Sequence, residues 1–311
     1  MTAALPRFLL LACLLFAAAP AAAQDQLRLV DLVGETDAFW ERTQDLSGPE
    51  RAAAFRAEIG AHIPGFYDVA RVGGDAERYD RRIAQGLSGY AAQRESMREV
   101  SARFADMFAP ARRSFEAQIG PLDYPRPVYL IHSFGEMDGG TRDLPGGITL
   151  VFGADMIARL HMAHDIRPFF HHELFHILHY ASFMPRPVIW YALWAEGLAT
   201  YAARELNPGA TDAELLLETP EPIRAAVDAH RQEAICTVVA RLDSTDEADG
   251  RALFSFSRFN ERLPPRFGYF VGYLAAERMG RSHDLAALAR MPAEEVRPAL
   301  EAALREMADC A

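Results

Sequence analysis

Two segments constrain the fold of this chain more than any other part of its sequence. The first reads His172-Glu173-Leu174-Phe175-His176, and the second reads Trp194-Ala195-Glu196-Gly197-Leu198-Ala199. Histidines four positions apart lie on one face of a helix, with their Cβ atoms about 5–6 Å apart. The stretch 188–203 is almost wholly apolar, and Glu196 is its one charged residue. Because a buried carboxylate needs a positive partner, the pattern predicts two neighbouring helices that share one polar point.

That polar point has the composition of a zinc site. Two histidines at this spacing can both reach one zinc ion at about 2.0–2.1 Å. We therefore predict Zn²⁺ as the cofactor, with His172, His176 and Glu196 as its ligands. Glu173 lies beside the first histidine, where its carboxylate can take a proton from a water molecule, so we predict that it is the general base.

Two other interpretations of these segments stay open at this point. His171 and His179 flank the motif, so the helix can simply be rich in histidine. Glu196 can form an ion pair with one of the many arginines instead of binding a metal.

The helix that carries His172 and His176 has predictable bounds. Asp165 is suited to cap it, Pro168 is suited to its first turn, and we expect it to end near Tyr180.

These segments resemble the gluzincin metallopeptidases, which carry a His-Glu-x-x-His helix and a glutamate ligand on the next helix. The second segment, continued to Tyr201, is similar to the Trp-x-x-Glu-Gly-x-Ala-x-Tyr signature of zinc aminopeptidases, with one residue fewer before the glutamate. The chain is most similar to bacterial families described as predicted zinc-dependent proteases of unknown function. The resemblance implies a zincin-like fold, in which the strand at 148–152 would lie at the edge of a small sheet and pair with an extended peptide.

Two departures from the gluzincin pattern matter. Where gluzincins often have an acidic residue that orients a ligand histidine, four positions after the ligand glutamate, this chain has Thr200. That support is therefore either weaker or supplied by another residue. The Gly-x-Met-Glu-Asn segment with which the aminopeptidases bind the substrate amine is absent from the sequence. Its absence favours an endopeptidase.

Two tyrosines are candidates for stabilising the oxyanion of peptide hydrolysis. Tyr269 and Tyr273 lie four positions apart in Gly268-Tyr269-Phe270-Val271-Gly272-Tyr273, which we expect to be helical. A tyrosine hydroxyl near the metal would donate a hydrogen bond to the developing negative charge. We therefore name both as candidate catalytic residues, with packing in an aromatic core as the alternative for each.

The N-terminus predicts export. Arg7, an apolar run from Phe8 to Phe16 and an Ala-x-Ala end at 21–23 are typical of a signal peptide spanning 1–23, whereas a membrane-spanning helix needs a longer apolar run. All 32 basic side chains are arginine, a bias typical of GC-rich bacterial genomes. We expect a periplasmic or secreted protein without a membrane span after cleavage. A net charge of −11 disfavours nucleic acid as a partner. The resemblance to metallopeptidases implies a peptide or protein substrate.

The periodicity of the chain predicts a mainly α protein with a small β-sheet, of the α+β class. We expect a helical N-terminal region over 24–120 and a zincin-like metallopeptidase domain over 121–311. Short strands are predicted at 128–132 and 148–152, with a turn-rich loop between them. Nothing in the sequence indicates an oligomeric state.

Cys236 and Cys310 follow the signal peptide as an even pair, which in an oxidising compartment suggests one disulfide, and two separate buried thiols stay an open alternative. The leading function is an exported zinc-dependent peptidase. The alternative is a non-catalytic periplasmic binding or scaffold protein with a structural metal site, which would lack an open fourth coordination position.

Overall fold

A small mixed sheet lies between two hydrophobic cores. The computed structural model describes residues 28–184 and 186–310, so the signal peptide predicted for 1–23 lies outside the described residues. The sheet has four strands: β1 (Leu29–Asp31), β2 (Val128–Ile131), β3 (Gly139–Leu144) and β4 (Gly147–Gly153). Their order is β1-β2-β4-β3. Strand β2 is parallel to β1 and β4, whereas β3 is antiparallel to β4.

Helices form most of the rest of the described chain. They are α1 (Val33–Arg42), α2 (Gly48–Glu58), α3 (Ala76–Ser88), α4 (Tyr90–Ile119), α5 (Ala154–Leu160), α6 (Arg167–Tyr180), α7 (Ile189–Leu206), α8 (Ile223–Ala229), α9 (Arg231–Val239), α10 (Glu247–Phe254), α11 (Phe267–Met279), α12 (Leu285–Ala289) and α13 (Ala293–Met307), with short 3₁₀ helices at Gly60–His62 and Val69–Val72. The prediction of a mainly helical α+β protein is confirmed. Within the described ranges no helix is both long and apolar enough to cross a bilayer.

Three expectations about strands were wrong. The N-terminal region is not helical throughout, because β1 pairs with β2 in register Leu29 to Val128. The segment expected to be a turn-rich loop contains β3, which pairs with β4 along its whole length. Strand β4 is therefore an inner strand with neighbours on both sides, and β3 lies at the edge of the sheet beside it. The tight turn at Gly146-Gly147 explains these last two differences, because both residues have positive φ and fold β3 back onto β4.

Alternation along β4 separates the two cores. Leu150 and Phe152 point into a large core that α4, α6, α7 and α11 share, whereas Val151 points into a smaller core beneath α2 and α3. Successive strand side chains point to opposite faces, so a sheet with a core on each face has apolar residues at consecutive positions. Helix α6 reaches the large core through Phe170, which packs edge-on against Phe152 with ring centres 5.5 Å apart.

Helices α7 and α11 touch backbone to backbone. A Cβ atom on Gly197 would lie 2.2 Å from the carbonyl carbon of Gly272, and a Cβ atom on Gly272 would lie 2.3 Å from the carbonyl oxygen of Leu193. Both distances are far below van der Waals contact, so glycine is required at both positions. The crossing fixes the distance between Glu196 of α7 and Tyr269 of α11.

The two cysteines form a disulfide that joins α9 to the segment after α13. Cys236 and Cys310 are 74 positions apart, and their Cα atoms are 5.2 Å apart. This confirms the disulfide over the alternative of two separate thiols. The bond fastens the end of the described chain to the helical layer that supports α7 and α11.

Candidate metal centre

Helix α6 carries the first three candidate residues. It begins where Asp165 Oδ1 accepts a hydrogen bond of 3.0 Å from the backbone N–H of Arg167, and Pro168 lies in its first turn. It ends at Tyr180, as expected. Apolar residues of α6 anchor it in the large core, so the opposite face, with His172 and His176, is turned towards α7.

The two histidines and Glu196 converge on one point. His172 Nε2 lies 3.1 Å from His176 Nε2, and the carboxylate oxygen Oε2 of Glu196 lies 3.3 and 3.4 Å from these nitrogens. A tetrahedral zinc ion with ligands at 2.0–2.1 Å has ligand atoms about 3.3–3.4 Å apart, so the triangle has the size such an ion requires. Two imidazole nitrogens this close face each other without repulsion only when a proton or a cation lies between them.

The other two histidines of α6 have different partners. His171 Nε2 lies 3.1 Å from the carbonyl oxygen of Ala111, and the side-chain amide of Asn207 donates to His171 Nδ1 at 2.9 Å. His179 is fully buried and stacks on Phe183, with ring centres 4.6 Å apart. Burial lowers the pKa of both histidines, to about 3 for His179. The helix is therefore not simply rich in histidine, because two of its four histidines serve packing and two face Glu196.

Glu196 does not pair with an arginine. Within the described ranges its ion pairs are with His172 and His176. Burial raises its pKa, but the two histidines lower it further, so the net pKa lies well below the ordinary value for glutamate. The carboxylate is thus ionised at neutral pH. A negative oxygen beside two imidazole nitrogens is the donor set of a divalent cation of the zinc type.

Glu173 is buried and faces the cleft beside the cluster. Its oxygen Oε2 has no hydrogen-bond partner among the described residues. Burial raises the pKa of this carboxyl to about 8. A buried carboxyl without a partner costs free energy, and such groups are found where a ligand or reacting group supplies the missing partner.

The edge strand β3 forms the wall opposite α6. A Cβ atom on Gly139 would lie 2.5 Å from the ring of Phe169, so only glycine lets the strand approach the helix this closely. Gly140 has a φ of +145°. A Cβ atom there would lie 3.9 Å from Oε2 of Glu173. The free edge of β3 therefore begins next to the general-base candidate.

Together these elements enclose a cleft of about 430 Å³ that contains His172, Glu173, His176 and Glu196. The structure brings Tyr269 to this cleft, where its ring stacks near that of His172 with centres 6.5 Å apart. Burial raises the pKa of the Tyr269 hydroxyl well above its ordinary value, so the hydroxyl keeps its proton.

The structure does not bring Tyr273 to the cluster. The Tyr273 hydroxyl donates a hydrogen bond of 3.0 Å to Oε1 of Glu277, and burial raises its pKa to about 12. Its ring stacks on Phe270, with centres 5.5 Å apart. Four residues of helix advance the side chain by about 6 Å, which carries Tyr273 past the cleft that Tyr269 reaches.

Thr200 does not take the place of the acidic residue that orients a histidine in gluzincins. Its hydroxyl donates to the carbonyl oxygen of Glu196 at 2.9 Å, within α7. His176 Nδ1 is buried without a hydrogen-bond partner in the described chain. Ring contacts orient this histidine instead, because Tyr180 stacks on it with centres 5.2 Å apart.

Sequence reasoning missed three residues of the cleft. Tyr180 and Arg266 line it, and Asp138 accepts a hydrogen bond from His161 Nε2 at 2.8 Å at the beginning of β3. The position of Tyr180, four residues after His176, was a usable signal because both must lie on one helix face. Asp138 and Arg266 lie in connecting segments, where no periodicity predicts direction.

Comparisons of the chain with protein-family models, with curated proteins and with solved structures found no match.

Proposed function

We propose that this protein is an exported zinc-dependent peptidase of the periplasm or exterior, with a zincin-like catalytic region and with endopeptidase action favoured. One observation carries the proposal. Three ligand atoms from α6 and α7 converge at the spacing of a zinc ion, beside a buried carboxylate without a partner. Three protein ligands facing a cleft leave a fourth position open, which is typical of catalytic rather than structural zinc.

His172, His176 and Glu196 would hold the ion. When bound there, zinc would act as a Lewis acid and lower the pKa of a water molecule in the cleft to about 7. Glu173 takes the proton of the attacking water and later gives it to the leaving amine. Burial raises the pKa of Glu173 to about 8 in the metal-free chain, and a cation bound beside it would lower that pKa, so that the ionised carboxylate could accept the proton.

Two further groups support peptide hydrolysis. The outer edge of β3 has no neighbouring strand among the described residues, so an extended peptide can pair there as an added strand. Pairing there would lay the peptide across the cleft between β3 and α6. Tyr269 keeps its hydroxyl proton and can donate it as a hydrogen bond to the carbonyl oxygen as negative charge develops.

The test combines metal analysis with a peptide-library digest. We expect the purified protein to bind about one zinc ion per chain and to cleave internal peptide bonds, and Glu173→Gln to keep the zinc and lose hydrolysis. Glu95→Gln removes a carboxylate from the exposed face of α4 and serves as the matched control. Zinc binding without turnover of any peptide would favour the non-catalytic alternative, and absence of zinc binding would contradict both.

A further inference from the structure

The cleft contains two arginines that this chemistry does not use, Arg142 and Arg266, and Arg142 is already paired with Glu136. Arg266 immediately precedes α11, and its guanidinium carbon lies 4.6 Å from the centre of the Tyr269 ring. The same Tyr269 ring lies 6.5 Å from that of His172 in a near-parallel stack. One aromatic ring therefore separates Arg266 from a predicted zinc ligand.

The surrounding structure holds this guanidinium in place. Its Nη1 donates hydrogen bonds to the carbonyl oxygens of Leu216 at 3.2 Å and Thr219 at 2.9 Å. Both Arg266 and Leu216 have left-handed backbone conformations, with φ of 64° and 55°. Such conformations cost free energy in non-glycine residues and persist where the packing around them imposes them. Arg266 is thus fixed in direction before a ligand arrives, which lowers the entropic cost of binding.

Arg266 differs from Arg142, the other arginine of the cleft, because it forms no ion pair with a carboxylate in the described chain. Arg142 lies 3.6 Å from a carboxylate oxygen of Glu136, and Asp138 lies 2.8 Å from His161. The hydrogen bonds that Arg266 makes within residues 28–184 and 186–310 go to carbonyl oxygens, which leaves its Nε and Nη2 donors for another group. A half-buried guanidinium with unused donors is suited to a planar anion.

We propose that Arg266 selects substrates by binding a carboxylate close to the cleaved bond. This inference rests on the proposed peptidase function. A guanidinium group presents parallel N–H donors to both oxygens of a carboxylate. An extended peptide advances about 3.3 Å per residue, and only one aromatic ring lies between Arg266 and the metal cluster, so the carboxylate lies within about three residues of the cleaved bond. Its source is either the C-terminus of the peptide or an Asp or Glu side chain.

Binding is measured first, in the full chain with Glu173→Gln so that no peptide is cleaved. The probes are N-acetyl-pentaalanine with a free C-terminal carboxylate, the same peptide with a C-terminal amide, and amide-capped peptides with Glu or Gln at successive positions. We expect one carboxylate-bearing probe to bind at least about tenfold more tightly than its neutral counterpart by calorimetry. Adding Arg266→Gln should bring that ratio close to one, and Arg266→Lys should leave an intermediate ratio because lysine keeps the charge without the planar fork.

Arg281→Gln is the matched control, since it removes the same charge from an exposed turn after α11 and should leave the ratio unchanged. Zinc content and thermal unfolding verify that each variant is folded. A preference for the free C-terminus identifies carboxypeptidase action, and a preference for Glu over Gln identifies an endopeptidase that reads acidic residues. Equal binding of charged and neutral probes with Arg266 intact, or an unchanged ratio in Arg266→Gln, overturns the inference.

Hydrolysis separates this inference from the proposed function. The same peptides are digested by the chain with Glu173 intact, and kcat/KM is compared between charged and neutral members of each pair. Cleavage with no dependence on Arg266 leaves the peptidase standing and refutes the role of Arg266. Binding that depends on Arg266, without cleavage of any peptide, refutes the peptidase and leaves a carboxylate-binding site.

Discussion

Asp155 and Glu173 are both buried carboxylates, each with 6% of its surface exposed, but their surroundings differ. The oxygens of Asp155 accept hydrogen bonds of 2.7 Å from the backbone N–H groups of Ser133 and Gly135, and a third of 3.0 Å from the Ser133 hydroxyl. Asp155 thereby fastens the segment after β2 to the beginning of α5. In contrast, the carboxylate oxygen Oε2 of Glu173 has no hydrogen-bond partner in the described chain.

The pKa values of the two groups move in opposite directions. Burial raises the pKa of Asp155, but His132 and the backbone donors lower it more, so that it lies below its ordinary value. Burial raises the pKa of Glu173 to about 8, because no hydrogen bond stabilises the carboxylate and the charges of His176 and Arg142 offset only part of the effect of burial. The comparison teaches that burial alone does not mark a carboxylate as functional. A structural carboxylate such as Asp155 accepts hydrogen bonds from donors of the chain itself. A carboxylate oxygen without such donors, as in Glu173, is available to a ligand.

The strongest test of this contrast is the effect of Glu173→Gln on activity. We expect kcat/KM for a cleaved peptide to fall about 10³–10⁴-fold, because the amide cannot accept the proton of the attacking water. Bound zinc, measured by elemental analysis, should stay at the level of the unaltered protein. Residual activity within tenfold of that level would remove Glu173 from the mechanism.

The two carboxylates should also give opposite pH dependence in the metal-free protein. A carboxyl group with a raised pKa stabilises the fold below its unfolded pKa and loses that contribution as pH rises to its folded pKa. The contribution of Glu173 should therefore fall between about pH 5 and pH 8, by on the order of 3 kcal/mol. Denaturant unfolding of the EDTA-treated protein at several pH values measures it.

In that experiment Glu173→Gln should flatten the change between pH 5 and pH 8. Asp155 has a lowered pKa, so its contribution is present above its unfolded pKa and is lost as pH falls through the folded one. Asp155→Asn should therefore lower stability at neutral pH and remove part of its fall at acid pH, while leaving the slope between pH 5 and pH 8 as it is. A Glu173→Gln curve parallel to that of the unaltered protein would show that the carboxyl is satisfied after all.

Tyr269 and Tyr273 allow a third comparison, between a hydroxyl in the cleft and one outside it. Tyr269→Phe should lower kcat about 10²-fold with little change in KM, because the lost hydrogen bond forms mainly in the transition state. Tyr273→Phe removes only the hydrogen bond to Glu277 and should leave kcat unchanged. Equal losses in the two variants would mean that Tyr269 acts through packing.

The smallest expected effect is on stability at neutral pH. Asp155→Asn should lower the free energy of unfolding by about 2 kcal/mol, because an amide nitrogen would face donors that now meet a carboxylate oxygen. Zinc content should be unaffected. Urea unfolding at pH 7 measures the loss, with Asp123→Asn, in the connection before β2, as the control. An unchanged midpoint would mean that the donors around Asp155 find other partners.

Helical periodicity predicted the cluster itself. The spacing of His172 and His176 determines their common face, and the apolar surroundings of Glu196 require a positive partner, so local rules sufficed. Two cysteines suggested the disulfide but left two separate thiols open, because sequence does not give the Cα separation that the bond requires. Strand β1 could not be predicted, because a strand of three residues shows no periodicity and its partner β2 comes much later in the sequence, after α4.

Long-range geometry decided what local rules missed. Gly139 and Gly140 are typical of a turn in sequence, yet here Gly139 permits the close approach of a strand to Phe169, and Gly140 provides a backbone φ of +145°. Arg266 reaches the cleft through a left-handed backbone conformation, which arginine seldom adopts and no local pattern indicates. Tyr269 and Tyr273 lie four positions apart, and this spacing predicts only that they share a face of α11. It does not predict how far along α11 the cleft extends.

The contact of Gly197 with Gly272 has a mechanical consequence. Where side chains separate two helices, rotamer changes can absorb small displacements, but here bare backbone rests on bare backbone. Glu196 and Tyr269 lie on either side of that contact and are therefore carried as parts of one rigid frame. For the proposed peptidase, adjustment to different substrates would fall to the connecting segments at the cleft mouth, such as the one with the exposed Phe256. The geometry at Glu196 and Tyr269 would then stay constant while the entrance varies.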